Sequence, residues 1–160
     1  RSSAASDVYK RQVDTIRRWN NHKRFNSHLL TPKEKEIREY YRKVLTLCNA
    51  EDALAHGQFF DLMYVNLGGW QMNEHRQYAF LRKGEHDVIL VIVNFEDMPV
   101  HVSVNIPQHA FDYLQVPCME SCKVTDLLTG KKESISFTSS KPTTVNLPQL
   151  GGKMLKIQLK

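Results

Sequence analysis

The acidic side chains of the central part of the chain are the residues whose type would suit acid–base catalysis. They are spread over predicted strand ends and turns, at Asp61, Glu74, Glu85, Asp87, Glu96 and Asp97. Two carboxylates that work as acid and base need a shared, partly desolvated pocket, and the spacing of these acids indicates none. A solvated edge is the ordinary place for such residues. The sequence therefore predicts no catalytic residue.

The histidines and cysteines could ligate a metal. His109, Cys118 and Cys122 are the best candidates for zinc, but their spacing matches no CxxC or HxxxH signature. Three scattered cysteines are no disulfide framework, and the sequence leaves open whether Cys118 and Cys122 are bonded. Gly68-Gly69 lies in no phosphate-binding motif. We expect neither a metal nor a cofactor in this chain.

The aromatic residues are better candidates for contact with a ligand. The loop LGGWQMNEHRQ places Trp70 between two glycines and a polar stretch, shortly after Tyr64. A flat aromatic ring packs well against the apolar face of a pyranose, with polar groups around it. Trp70 and Tyr64 are therefore candidate sugar contacts. The alternative is that Trp70 packs over the edge of a sheet or against a part of the protein outside this chain.

The charge of the chain is +5 and is unevenly placed. Residues 1–43 carry a net charge of +7 and residues 44–160 a net charge of −2. A nucleic-acid-binding fold would place basic residues and aromatics together on a face of the fold itself, so we expect no nucleic-acid partner. No apolar run approaches the ~20 residues that a membrane span needs.

A helix is predicted from about residue 32 to residue 48. The segment TPKE is a capping box in which Thr31 caps the helix, Pro32 suits its first position and Glu34 completes the box. Apolar residues follow at helical spacing: Ile37, Tyr40, Tyr41, Val44, Leu47 and Cys48. Residues 1–12 are small, polar and unpatterned, and are predicted to be a disordered, linker-like tail.

After Gly57 the apolar period changes to that of strands. Val88–Val93 is an unbroken apolar run, typical of a central strand covered on both faces, whereas Val100–Ile106 alternates and should have one wet face. Strands are predicted at residues 58–66, 75–82, 87–95, 100–106, 123–128, 134–137, 143–147 and 153–159, with an irregular piece at 108–117. The sequence therefore predicts a mainly β fold, an antiparallel β-sandwich of about eight strands preceded by one long α-helix.

Segments of the chain resemble parts of glycoside hydrolase family 13, the α-amylase family, and IRRWNN…LLTPKEKEIREYY resembles its bacterial α-amylase-type members in particular. EYYRKVLTLCNAEDALAHGQFFDL is similar to the last helix of the catalytic (β/α)8 barrel and the first strand of the C-terminal domain. YAFLRKGEHDVILVIVNFEDMPVHVSV resembles the next hairpin, in which a strand ending in Arg82 turns into a buried strand ending in Asn94-Phe95. The resemblance covers roughly residues 13–160.

The resemblance implies how the chain is organised. Residues 13–50 would be the end of a catalytic barrel and residues 51–160 a C-terminal β-sandwich domain. The partner would be the rest of the barrel, in the same polypeptide. The helix would pack on it through Ile37, Tyr41, Val44 and Cys48.

The resemblance also implies what the chain does. The family's catalytic carboxylates lie on barrel strands upstream, and no segment here matches their motifs, so this chain would be inactive. The parent would be a retaining glycosidase that acts on α-glucans, and α-glucan is the sugar expected at Trp70 and Tyr64. Calcium binding by the parent is left open.

Two alternatives come from other classes of protein. A free-standing β-sandwich module could bind carbohydrate or protein, although such modules rarely need a long helix before the sandwich. A small enzyme could also use a sandwich scaffold, but the residues indicate no active site.

Overall fold

A computed structural model describes residues 3–69 and 71–159 of the chain. The chain divides into two compact units, an N-terminal unit (Arg1–Leu45) and a sandwich unit (Thr46–Lys160). Among the described residues, no helix is long and apolar enough to cross a membrane.

The N-terminal unit begins with helix α1 (Ser3–Asn20). Here the structure differs from the sequence prediction, which made residues 1–12 a disordered tail. The segment contains no glycine or proline, and its Ala, Gln and Arg residues have high helix propensity. The polar composition of residues 1–12 conceals this propensity, because the apolar anchors Ile16 and Trp19 occur only in the second half of α1.

Helix α2 (Pro32–Ala50) begins where the sequence predicts and ends slightly later. The backbone N–H of Glu34 donates to Thr31 Oγ1 (3.3 Å), and the backbone N–H of Thr31 donates to Glu34 Oε2 (2.8 Å). This confirms the capping box. The Thr31 N–H, together with the Arg18 guanidinium, holds the pKa of Glu34 down at about 2.

Within the described residues, the sandwich unit contains eight strands in two sheets. They are β1 (Gln58–Asp61), β2 (Gln77–Lys83), β3 (Asp87–Asn94), β4 (Val100–Val104), β5 (Met119–Asp126), β6 (Lys132–Phe137), β7 (Thr143–Leu147) and β8 (Gly151–Gln158). One sheet has six strands in the order β1-β2-β3-β8-β5-β6, and the other pairs β4 with β7. All pairings are antiparallel, which confirms the predicted architecture.

Strand β3 lies inside the six-stranded sheet, and seven of its eight positions are buried. Its side chains Val88, Leu90 and Ile92 have no exposed surface and join one core cluster with Val102 of β4 and Val145 of β7. The unbroken apolar run is therefore the central strand that the sequence predicts. The core lies between the two sheets.

Two further helices are short. Helix α3 (Asp52–Ala55) is a single turn, and helix α4 (Gln108–Leu114) occupies part of the segment predicted to be irregular. It buries Ala110, Phe111 and Leu114 in the core and ends at Gln115, whose φ of 53° is left-handed. Two turns are too short for the periodicity that reveals longer helices. The sequence of this segment therefore carries no recognisable helical periodicity.

The first predicted strand, residues 58–66, is divided. Strand β1 ends at Asp61, because the Asp61 Oδ1 atom accepts a hydrogen bond from the backbone N–H of Met63 (2.9 Å). The chain then forms a single 3-10 turn, Met63–Val65. This turn places Tyr64 beside the sheet edge rather than within a strand.

Candidate functional surfaces

The six-stranded sheet has a face that points away from the two-stranded sheet, which we call the outer face. Alternation along β1 and β2 places Phe59, Tyr78 and Phe80 on it. The Phe80 ring lies 5.5 Å from the Phe59 ring and 5.9 Å from the Tyr78 ring. Phe59 is 47% exposed and Tyr78 36% exposed. This aromatic row is an apolar patch of the kind that another protein segment covers.

A single helical turn, α3 (Asp52–Ala55), covers the middle of the outer face. Ala53 is fully buried against Ile89 and Val91 of β3. The backbone comes close enough that a Cβ atom on Gly57 would lie 2.3 Å from the Ala53 carbonyl oxygen. Only glycine fits there without a shift of the backbone. The turn is therefore held against the sheet as closely as the backbone allows.

Arg82 and Lys156 fasten this turn to the sheet. The Arg82 guanidinium donates to the carbonyl oxygens of Ala53 (3.1 Å) and Leu54 (3.0 Å), which satisfies acceptors at the end of α3. Lys156 Nζ lies 2.5 Å from Glu51 Oε2 and 3.0 Å from Asp87 Oδ2.

The electrostatics of the outer face follow from this packing. Partial burial acts to lower the pKa of the Lys156 ammonium, but its hydrogen bonds to Glu51 and Asp87 outweigh burial and raise that pKa above its ordinary value. Burial and the neighbouring Asp61 carboxylate raise the pKa of Tyr78. The Tyr78 hydroxyl is therefore a neutral donor to Asp61 at neutral pH.

The predicted barrel-packing face lies on α2, which has no buried side chain along its fully described length. Ile37 is 48% and Tyr41 62% exposed, and Val44 and Cys48 are half-buried. Within the N-terminal unit, Ile37 lines an apolar cleft between α1 and α2. Whether a barrel covers this face stays a prediction.

A second aromatic group lies at the edge of the sandwich unit, which we call the Phe60 cluster (Phe60, Tyr64, His109 and Tyr113). Phe60 is buried, and its ring lies 6.2 Å from Tyr64, 5.5 Å from His109 and 5.7 Å from Tyr113. Tyr64 is 52% and Tyr113 53% exposed. Two half-open tyrosine rings thus flank a buried phenylalanine.

Of the two residues predicted to contact sugar, the structure describes only one. Trp70 lies outside the described residues, and Tyr64 belongs to the Phe60 cluster. Sequence reasoning missed His109 and Tyr113 as members of that cluster. The available signal was their i, i+4 spacing beside the apolar residues of α4, which place both on one side of the helix.

Buried carboxylates elsewhere in the described residues make hydrogen bonds and ion pairs that hold the fold together. Asp126, for example, is buried and accepts hydrogen bonds from Leu128 N, Thr129 Oγ1 and Met154 N. Asp87 is buried and paired with Lys156, unlike the solvated acid that the sequence suggests. All three cysteines are free. No group of three metal-ligating side chains comes together in the part of the chain that the structure describes.

Comparison with known proteins identifies the family of this chain. Residues 70–158 match the family described as the α-amylase C-terminal all-β domain. The chain belongs to that family. The match spans β2 to β8 and so includes Tyr78, Phe80 and Arg82 of the outer face and both α4 members of the Phe60 cluster. No curated protein is similar enough in sequence to count as a match.

Solved structures share the fold of this α-amylase C-terminal domain. The maltogenic α-amylase AmyB from Thermotoga neapolitana aligns with 82% of this chain at 13% identity and a TM-score of 0.59, over 27% of its own length. The α-amylase GTA from Geobacillus thermoleovorans, complexed with acarbose, aligns with 84% at 16% identity and 0.55, over 26% of its length. AmyP, in complex with maltose, aligns with 79% at 20% identity and 0.54, over 21% of its length. The chain thus spans about a quarter of each of these proteins.

Proposed function

We propose that this chain is the C-terminal part of a retaining, α-amylase-type glycoside hydrolase that acts on α-glucans. Its role is to support a catalytic (β/α)8 barrel of the same polypeptide. The family membership and the small share of each α-amylase that the chain spans support this proposal. The neighbours described as maltogenic or as bound to maltose support the choice of α-glucans as substrate class.

The observation that carries the proposal is the aromatic row on the outer face. Phe59 and Tyr78 remain exposed beside the buried Ile89 and Val91, so α3 covers only part of an apolar surface. Residues 46–50 belong to the sandwich unit and directly precede α3 in the sequence. We assign the aromatic row to contact with the barrel.

The chain itself supplies support and no bond cleavage. A retaining glycosidase needs two carboxyl groups about 5 Å apart, one a nucleophile and one an acid/base. The buried carboxylates here are committed elsewhere, since Asp87 pairs with Lys156 and Asp126 accepts three hydrogen bonds in a turn. Hydrolysis would therefore belong to the upstream barrel.

The reading frame upstream of this chain tests the proposal. We expect several hundred codons that encode barrel strands and three acidic motifs, and a full-length product that hydrolyses soluble starch. The 160-residue chain, purified alone, should release no reducing sugar. In the full-length enzyme, Phe59→Ser with Phe80→Ser should lower the temperature of inactivation, whereas Tyr113→Ala should not.

Two results would contradict this proposal. A stop codon directly upstream of this chain would favour a free-standing carbohydrate- or protein-binding module. An unchanged inactivation temperature in the Phe59→Ser/Phe80→Ser enzyme would show that the outer face does not contact the barrel.

A further inference from the structure

We propose that the Phe60 cluster is an auxiliary binding site for α-glucan chains, separate from the catalytic barrel. The inference rests on the proposed function for its choice of sugar. It differs from the sugar contact predicted from sequence, because it takes Tyr64 together with Tyr113 and His109 of α4 and does not require Trp70.

The local structure holds the two tyrosine rings in place. His109 and Tyr113 are one turn apart on α4, and their rings lie 6.3 Å from each other in an edge-to-face arrangement. The opposite side of α4 is anchored in the core by Phe111, whose ring packs edge-to-face on Phe137 at 5.0 Å. The Tyr64 backbone is held by the adjacent Asp61–Met63 hydrogen bond. The rings are therefore positioned before any ligand arrives, which lowers the entropic cost of binding.

The chemistry of the cluster suits a neutral sugar chain. Half-exposed tyrosine rings offer apolar faces to the C–H surface of a pyranose, while their hydroxyls and the His109 imidazole can hydrogen-bond to sugar hydroxyls. Gln108 and Asp112, on the same helix, satisfy one another through a 2.9 Å hydrogen bond. An apolar platform with a polar rim is the ordinary design of a small-ligand site.

Strand geometry keeps this site apart from the outer face. Phe59 and Phe60 are consecutive on β1, so their side chains point to opposite faces of the sheet. Phe59 belongs to the aromatic row, and Phe60 anchors the cluster. Contact between a barrel and the aromatic row therefore does not require the barrel to cover Tyr64 or Tyr113.

Titration of the 160-residue chain with maltoheptaose, followed by two-dimensional NMR, tests the site. We expect shifts centred on Tyr64, His109 and Tyr113, with weaker shifts on the outer face. Tyr64→Ala and Tyr113→Ala should each raise the Kd for maltoheptaose by about tenfold. The matched control is Tyr78→Ala, which removes a tyrosine from the aromatic row and should leave the Kd unchanged. Both cluster tyrosines are more than half exposed, so these variants should keep the wild-type spectrum elsewhere.

Several results would overturn the inference. These are the absence of maltoheptaose shifts, shifts centred on the aromatic row, and equal binding of β-linked cellohexaose. Absent binding together with an upstream barrel frame would overturn this site and leave the proposed function standing. Binding at the cluster without an upstream barrel frame would do the reverse.

Discussion

The two faces of the six-stranded sheet are built from the same strands and have different coverage. On β3, the inner side chains Val88, Leu90 and Ile92 are completely covered by the second sheet. The outer side chains Ile89 and Val91 are buried under one helical turn, while Phe59 and Tyr78 nearby stay open. The difference teaches that the inner face is complete within this chain. The outer face has the composition of a core and the exposure of an interface.

The largest effect should come from the inner face. Leu90→Ala leaves a cavity in a fully buried layer and should lower the free energy of unfolding by about 3 kcal/mol. Phe80→Ala removes a larger side chain from the outer face and should cost less than half as much, since that side chain is only partly buried. Urea unfolding of the chain, followed by circular dichroism, measures both. Equal losses would mean that the two faces are equally covered.

The next effect concerns the close contact between α3 and the sheet. Gly57→Ala would place a Cβ atom 2.3 Å from the Ala53 carbonyl oxygen and 2.5 Å from that of Lys83. We expect a loss of about 2 kcal/mol in the free energy of unfolding. Gly69→Ala is the matched control, because its Cβ atom would meet no atom closer than 3.9 Å. A Gly57→Ala variant as stable as Gly69→Ala would show that α3 is loosely attached.

A smaller effect should come from the charges beside α3. Lys156→Met leaves Glu51 and Asp87 without their cation and should cost about 1 kcal/mol. The double variant Lys156→Met/Asp87→Asn should recover part of that loss.

The same ion pairs should make stability depend on pH. Because pairing raises the pKa of Lys156, the stabilisation from its ammonium is complete below the ordinary pKa of about 10.5 and is lost as pH rises above it. Thermal unfolding between pH 9 and pH 11.5 should therefore show a steeper loss in the wild type than in Lys156→Met. Parallel curves would show that the Lys156 ion pairs do not stabilise the outer face.

The smallest change in stability should accompany the most direct test of the outer face as an interface. Phe59→Ser should alter the free energy of unfolding of the isolated chain by about 0.5 kcal/mol or less, because Phe59 is 47% exposed. Binding of the dye ANS and concentration-dependent association should both fall, since the most exposed ring of the aromatic row is lost. Tyr113→Ser, in the Phe60 cluster, is the control for removal of an exposed ring. Unchanged dye binding in Phe59→Ser would show that the exposed apolar surface lies elsewhere.

Much of the fold could be predicted because its signals are local. The run Val88–Val93 indicates a covered central strand without knowledge of its neighbours, and the Thr31–Glu34 capping box marks the start of α2. Two short helical features carry weaker signals. The two turns of α4 fall below the length at which helical periodicity is visible, and the polar composition of α1 conceals its helix propensity.

The candidate surfaces were harder to predict because they depend on pairing between distant segments. Alternation places Tyr78 and Phe80 on one face of β2, but the register with β1 is what brings Phe59 beside Phe80. In the same way, Tyr64 and Tyr113 become neighbours of one ring only when α4 packs against β1. No residue spacing within either segment contains that information.

Strand β8 has a consequence for synthesis on the ribosome. It pairs with β3 on one side and β5 on the other, so it joins the two halves of the six-stranded sheet. While residues 151–158 are still inside the ribosome, the six-stranded sheet of the nascent chain is divided into two parts. The edges of β3 and β5 that face the missing strand then lack hydrogen-bond partners. The sandwich should therefore close in one late step, and a ribosome stalled before that point would present a template for strand addition by a neighbouring nascent chain.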